Sequence, residues 1–151
     1  MRSGFTKASL KEHGGLFAGQ PSQGALAALR EALREGGHSI EEQVPAPSLL
    51  GRRKYRVDFR ARSAIGHVLL LDILYQDASG TAEQKVPFFV IDLIAAVPLM
   101  EADQGFVIMG GDGYTLAQTM IEHLPGRLVD ADRVRLLTLE DACALAATGK
   151  L

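Results

Sequence analysis

Hydrophobic and polar positions follow one another along the chain with two different periods. Leucines spaced three and four residues apart predict a helix over residues 24–37, which a pair of glycines ends. From residue 55 to residue 62, apolar side chains alternate with arginine and aspartate, which predicts a half-exposed strand. Residues 67–75 are almost continuously apolar, the pattern of a central strand that is covered on both faces.

The rest of the pattern completes a domain in which helices and strands alternate. Further strands are predicted at 38–44, 106–109 and 134–137, and further helices at 83–98, 114–124 and 139–147. The resulting order, α-β-β-β-α-β-α-β-α, indicates an α/β fold of three layers with a mixed central sheet flanked by helices. Residues 1–22 lack periodicity and predict a flexible N-terminal arm, so residues 23–151 are expected to form a single domain.

Composition narrows the expected cellular setting. The 151 residues contain one cysteine, Cys143, which cannot form an internal disulfide and therefore indicates a reducing, cytoplasmic location. The apolar stretches are far shorter than the roughly 20 residues that a membrane-spanning helix needs. The N-terminal residues also lack the apolar segment of a signal peptide, so no membrane association is expected.

Charge is distributed unevenly, although the net charge is only −2. Six of the 16 basic residues lie close together in one segment, and they are Arg52, Arg53, Lys54, Arg56, Arg60 and Arg62. Between residues 63 and 126, Lys85 is the only basic residue, against eight acidic ones. One positive surface on an acidic body can bind a polyanion such as DNA. A charged strand edge that resists aggregation has the same pattern, and counting alone leaves both interpretations open.

Two aspartates in neighbouring predicted strands are the candidates for chemistry. Asp72 interrupts an apolar run, where a buried carboxylate costs several kcal/mol unless it is paired or bound to a cation. Asp58 lies in the preceding strand, and a turn at residues 63–66 favours an antiparallel pairing of the two. Two carboxylates that meet on a sheet suit Mg²⁺ or Mn²⁺. Alternatively, Asp58 belongs to a surface ladder of ion pairs, and Asp72 bonds to peptide N–H groups or to an arginine.

Several segments around these aspartates resemble one known family. Residues 55–59 (Tyr-Arg-Val-Asp-Phe) and 70–76 (Leu-Leu-Asp-Ile-Leu-Tyr-Gln) resemble the core of the PD-(D/E)XK nuclease superfamily, which has the restriction-endonuclease-like fold. Residues 79–81, 83–87 and 107–111 resemble one small bacterial subgroup of it. The likeness runs in order, with short gaps, over about residues 24–145.

The resemblance implies a metal-dependent DNA endonuclease. By it, Asp58 and Asp72 would bind Mg²⁺ or Mn²⁺, and the backbone carbonyl of Ile73 would be a further ligand. The basic segment at 52–62 would contact the DNA backbone, with salt-dependent affinity. Because little chain remains beyond the core, strict sequence recognition would need a homodimer or a partner protein.

One position departs from the family's pattern. The family's catalytic lysine falls two residues after the second acid, and this chain has Leu74 there. Two residues are candidate substitutes: Lys85 in the following helix, unless it is simply a solvated residue, and Gln76, which is next on the same strand face. The alternative is a catalytically inactive nuclease-fold protein that binds DNA or a protein partner. A third hypothesis is that the chain is a structural or assembly protein with a nuclease-like fold and without a nucleic-acid role.

Overall fold

The computed structural model describes residues 21–78 and 82–151, in which four helices and five strands alternate. In chain order they are α1 (Pro21–Glu35), β1 (Ser39–Pro45), β2 (Arg56–Arg62), β3 (Val68–Tyr75), α2 (Ala82–Leu99), β4 (Gln104–Gly110), α3 (Ala117–His123), β5 (Val134–Thr138) and α4 (Leu139–Ala147). This is the predicted order, and α4 has the predicted bounds. Residues 1–20 of the expected arm, and residues 79–81 of the family resemblance, lie outside the described residues.

The five strands form one mixed sheet with the order β1-β2-β3-β4-β5. The first three strands are antiparallel, because short connections join them; the turn after β2 closes with a 2.9 Å hydrogen bond from the Ser63 amide to the His67 carbonyl. Strand β3 pairs with β4 in parallel, and so does β4 with β5, since each crossover passes through a helix. The predicted α/β class with a mixed sheet is confirmed, whereas the restriction-endonuclease-like fold stays a prediction.

Helices cover both faces of the sheet. One apolar cluster contains α1, α4 and the β3 residues Leu69 and Leu71, and the other contains α2 and the β3 residues Leu70 and Leu74. Successive residues of β3 therefore enter opposite layers, which confirms the prediction of a central strand covered on both faces. In the described part of the chain, no helix combines the length and the apolar character needed to span a membrane.

Strand β2 rotates at Asp58. Phe59 and Ala61 pack in the cluster of α1 and α4, but Val57, two residues before Phe59, packs in the cluster of α2. Residues two apart normally share one face of a sheet, so the strand must turn between Val57 and Phe59. Gln43, which lies opposite Asp58 on β1, has a left-handed backbone with φ of 53°. The rotation therefore involves both strands, and it turns the carboxylate of Asp58 toward β3.

Two predicted helix boundaries differ from the structure. Helix α1 already includes Pro21 and Ser22, which lie inside the segment predicted as an arm. Helix α3 begins at Ala117 and not at residue 114. The reason is that the amides of Thr115 and Leu116 donate to the carboxylate of Glu83, so they are held in a turn.

Candidate metal centre and nucleic-acid interface

Asp58 and Asp72 meet where the regular pairing of β2 with β3 stops. The paired residues extend to Phe59 opposite Leu71, and beyond that point side chains take the place of main-chain partners. The amide of Asp58 donates to Oδ1 of Asp72 at 3.1 Å, and the amide of Ile73 donates to Oδ2 of Asp58 at 2.8 Å. Each strand thus binds the carboxylate of the other, which places both acids in the gap between the strands.

The other two carboxylate oxygens also accept hydrogen bonds. The Tyr55 hydroxyl donates to Oδ2 of Asp72, and Nε2 of Gln43 donates to Oδ1 of Asp58 at 3.0 Å. A carboxylate oxygen can accept two hydrogen bonds, so each of the four keeps one lone pair for a further donor or a cation. The alternative partner for Asp72, a peptide N–H, is therefore present, together with a phenol that the sequence did not indicate.

The pKa values of both carboxyl groups are raised, so the surroundings disfavour their ionised forms. Burial, and next the charge of Asp58, raise the pKa of Asp72 to about 7, although the bonds from Tyr55 and the Asp58 amide and the charge of Arg52 oppose the rise. Burial likewise raises the pKa of Asp58 above its ordinary value. Burial and the adjacent Asp72 raise the pKa of Tyr55, so its hydroxyl remains a hydrogen-bond donor. A divalent cation would relieve the repulsion between the two carboxylates.

The residues at this gap fit a hard divalent cation. The N–H and C=O groups of a strand residue point to the same side, so the Ile73 carbonyl faces β2, as its amide does. Two carboxylates and one carbonyl form an all-oxygen set suited to Mg²⁺, which keeps several of its waters. Within residues 21–78 and 82–151, no group of three or more His, Cys, Asp or Glu residues is placed to hold a metal. Asp58, Asp72 and the Ile73 carbonyl would therefore hold the ion together with water.

Leu74 forms an apolar wall beside Asp72. Its side chain is buried among Val86 and Val90 of α2, on the face that the alternation of β3 assigns to Asp72. Its carbonyl accepts a 2.8 Å hydrogen bond from the Tyr114 hydroxyl. The position at which the resemblance would place a lysine is thus filled by a core residue.

Gln76 is buried and both ends of its amide are engaged. Its Nε2 donates to the Gly113 carbonyl at 2.9 Å, and its Oε1 accepts from the Glu83 amide at 3.0 Å. Gly111, with φ of 94°, packs so closely on Gln76 that a Cβ there would lie 2.2 Å from the Gln76 carbonyl oxygen. Gln76 therefore joins the turn after β4 to the start of α2, and its catalytic role stays a prediction.

Lys85 is exposed in the first turn of α2. It lies one helical turn before Phe89, and residues four apart share one side of a helix. Phe89 contacts Arg52, so Lys85 lies on the side of α2 that faces the basic segment. Its side chain is long and flexible, so its ammonium group could reach a ligand bound near the basic segment.

The basic segment divides into exposed cations and one enclosed cation. Arg53, Lys54, Arg56 and Arg62 are exposed, and Arg60 is half-buried. Arg60 and Arg62 line an open groove of about 250 Å³ with Glu41, at the edge formed by β1 and β2. The exposed members could contact a polyanion.

Arg52 is withdrawn from this surface. Its Nε donates to Oδ2 of Asp92 at 2.5 Å, and its Cζ lies 3.9 Å from the ring centroid of Tyr55 and 4.1 Å from that of Phe89. From the sequence, Arg52 is predicted to contact DNA, and no role is predicted for Tyr55 or Asp92. Asp92 could have been found by the signal that revealed Asp72, because it too interrupts an apolar run.

The gap between β2 and β3 offers two acids that could hold a metal ion and a phenol that hydrogen-bonds to one of them. Basic side chains belong to the loop before β2 and to β2 itself. Such a set can bind a metal and a phosphate together. No protein-family model matches the chain, and no curated protein matches it either. The functional assignment therefore depends on the site.

Proposed function

We propose that the protein is a cytoplasmic, metal-dependent DNA endonuclease of the restriction-endonuclease-like class, with Mg²⁺ or Mn²⁺ as cofactor. The observation that carries the proposal is the convergence of Asp58 and Asp72 in the gap between β2 and β3. Placing two acids together in a largely buried site is costly, and the burial of Asp72 without a cationic hydrogen-bond partner is what a binding site for a cation requires. The single, buried Cys143 supports the reducing setting.

The residues of this chain would share the work as follows. Asp58, Asp72 and the Ile73 carbonyl would hold the cation, and Tyr55 would fix the orientation of Asp72. Once held there, a divalent cation would supply a Lewis acid that lowers the pKa of a water and stabilises negative charge on the phosphate. Lys85 would approach the phosphate from α2, and Gln76 would maintain the loops around the site.

DNA binding would come from the exposed part of the basic segment. Its members Arg53, Lys54, Arg56, Arg60 and Arg62 would contact phosphates, so the affinity should fall steeply with salt concentration. Such contacts carry no sequence information by themselves. Recognition of a specific sequence would therefore require a second copy of the chain or a partner protein.

A second candidate is a catalytically inactive nuclease-fold protein that binds DNA or a protein partner. The observation that favours it is Leu74, which fills the lysine position with a buried apolar side chain. Gln76, whose amide bonds to the turn after β4 and to α2, is neutral and brings no positive charge to the site. Such a protein would bind its partner through the basic surface and would not cleave DNA.

The test is to incubate the purified protein with supercoiled plasmid and Mg²⁺ or Mn²⁺, with EDTA as the metal-free control. Cleavage that Asp58→Asn and Asp72→Asn abolish, and that the exposed-site control Asp132→Asn retains, would support the endonuclease. Plasmid that is bound in a salt-dependent manner but not cut would favour the second candidate. Cleavage that survives in both aspartate variants would contradict the proposed site.

A further inference from the structure

Arg52 is a cation held by one carboxylate and two aromatic rings. Besides the bond to Asp92 and the two ring contacts, its Nη2 is buried without a hydrogen-bond partner among the described residues. The side chain keeps 27% of its surface exposed, so it is not sealed inside the domain. An arginine held in this way retains both its charge and unused donor capacity.

The loop before β2 holds the Asp92 carboxylate in place. It accepts a 2.8 Å bond from the Ser48 hydroxyl and a 3.0 Å bond from the Leu50 amide. The Ser48 hydroxyl in turn accepts a 2.8 Å bond from the amide of Arg52. The loop is thus tied to α2 through one carboxylate, and the guanidinium is confined to a single location.

That location adjoins the candidate metal centre. The ring on which Arg52 rests belongs to Tyr55, whose hydroxyl donates to Asp72. One positive charge therefore stands a single aromatic ring away from the two carboxylates. Exposed Lys85 has no such fixed connection to either acid.

We propose that Arg52 provides the positive charge that Leu74 cannot provide at the Asp58–Asp72 site. The proposal rests on the endonuclease function proposed above. Arg52 acts as a positioning residue: it holds Tyr55, and through it Asp72, and its field stabilises the negative charge that develops on the phosphate. A charge held in place beforehand needs no reorganisation during the reaction, which makes it more effective than a mobile one. Asp92 weakens the positive field of Arg52 but also fixes the position of its guanidinium.

The experiment is chemical rescue of Arg52→Ala in the full chain, measured as the single-turnover rate of plasmid cleavage. Removal of the guanidinium should lower the rate about 100-fold, the loss expected when one electrostatic contribution to the transition state is removed. Ethylguanidinium should restore part of the rate. Ethylurea, which has a similar shape and no charge, should restore none of it.

The control is Arg127→Ala, since Arg127 is exposed and distant in sequence from the site. Its cleavage rate should equal that of the unaltered protein and should not respond to ethylguanidinium. If Arg52→Ala fails to fold, Arg52→Gln keeps hydrogen-bonding capacity without the charge. Its thermal midpoint should be lowered, because Asp92 loses its counter-charge, and its rate, measured at a temperature where the variant is fully folded, should still fall.

Three results would overturn the inference. Equal rescue by ethylurea would mean that Arg52 only fills the space between the rings. A rate in Arg52→Ala or Arg52→Gln equal to that of the unaltered protein would mean that its charge has no role. Absence of cleavage by the unaltered protein would overturn the proposed endonuclease and this inference with it, whereas the first two results leave the endonuclease intact.

Discussion

Asp72 on β3 and Asp92 on α2 each interrupt an apolar run, and they are 2% and 0% exposed. Their surroundings differ in one respect. Asp92 accepts from the Arg52 guanidinium as well as from Ser48 and Leu50, whereas the donors to Asp72, the Tyr55 hydroxyl and the Asp58 amide, carry no charge. Of these two acids, only Asp92 is therefore hydrogen-bonded to a cation among the described residues.

The pKa values follow this difference. Burial acts to raise the pKa of Asp92, but the bonds from Leu50, Ser48 and Arg52 outweigh it and hold the pKa below its ordinary value. Burial and Asp58 raise the pKa of Asp72 to about 7. The comparison teaches that the same sequence signal, an acid in an apolar run, marks a completed ion pair in one place and an unmatched charge in the other.

The largest expected effect is the loss of stability in Asp92→Ala. The change leaves the Arg52 cation and the Leu50 amide without their acceptor, which should lower the free energy of unfolding by about 3 kcal/mol. Denaturant unfolding at pH 7 measures it. If Asp92→Ala is no less stable than the unaltered protein, the contrast between the two acids does not hold.

Leu74→Lys should give Asp72 the kind of partner that Asp92 already has. An ammonium beside Asp72 should raise Mg²⁺-dependent plasmid cleavage, because it can orient a water and stabilise charge. Replacing a buried leucine should also lower the unfolding free energy by about 1–3 kcal/mol. Cleavage and denaturant unfolding are measured on the same preparation. A variant that folds but does not cleave would support the inactive, DNA-binding alternative.

Asp72→Asn should remove the pH dependence that buried Asp72 gives to the stability of the unaltered protein. Because the pKa of Asp72 is raised to about 7 when the chain is folded, the folded protein binds more protons than the unfolded one between about pH 4 and 7. Its unfolding free energy, measured without metal, should therefore decrease as the pH rises through that range. Asparagine removes the contribution of Asp72 to this dependence, so the variant should be more stable than the unaltered protein at pH 8, where folding of the unaltered protein must bury an ionised carboxylate.

The pH test has a matched control. Asp132→Asn changes an exposed acid and should retain the pH dependence of the unaltered protein. An Asp72→Asn variant that loses stability with rising pH as steeply as the unaltered protein would show that Asp72 is not the source of the dependence.

The smallest expected effect is stabilisation by metal. Mg²⁺ at about 10 mM should add about 1 kcal/mol to the unfolding free energy at pH 8 for a millimolar binding site. The gain should shrink at pH 6, because protons compete for Asp72. Asp58→Asn should lose the gain, and Asp92→Asn should keep it if that variant folds. An equal gain in Asp58→Asn would place the ion elsewhere.

Much of the fold was predictable from local patterns. Helix α4 and the double-sided burial of β3 follow from periodicity within a few residues, and the pairing of Asp58 with the strand of Asp72 follows from the short turn at 63–66. A short connection allows few arrangements, so these features depend little on the rest of the chain.

The partners of the candidate site were decided by tertiary structure. Tyr55 reaches Asp72 across 17 residues, and Arg52 reaches Asp92 across 40. Periodicity predicts which face a side chain occupies, but not which distant group will meet it there. Arg52 thus has the sequence context of a surface cation, but in the structure it is the half-buried partner of Asp92.

The sequence by itself determined the order of elements, the mixed sheet and the presence of two acids on neighbouring strands, because spacing, turns and apolar runs act locally. The tertiary structure alone decided the rotation of β2 at Asp58, the bond from Tyr55, and the pairing that matches Asp92 and leaves Asp72 unmatched. These features arise because a buried charge takes whichever partner the packing of remote segments brings within hydrogen-bond distance.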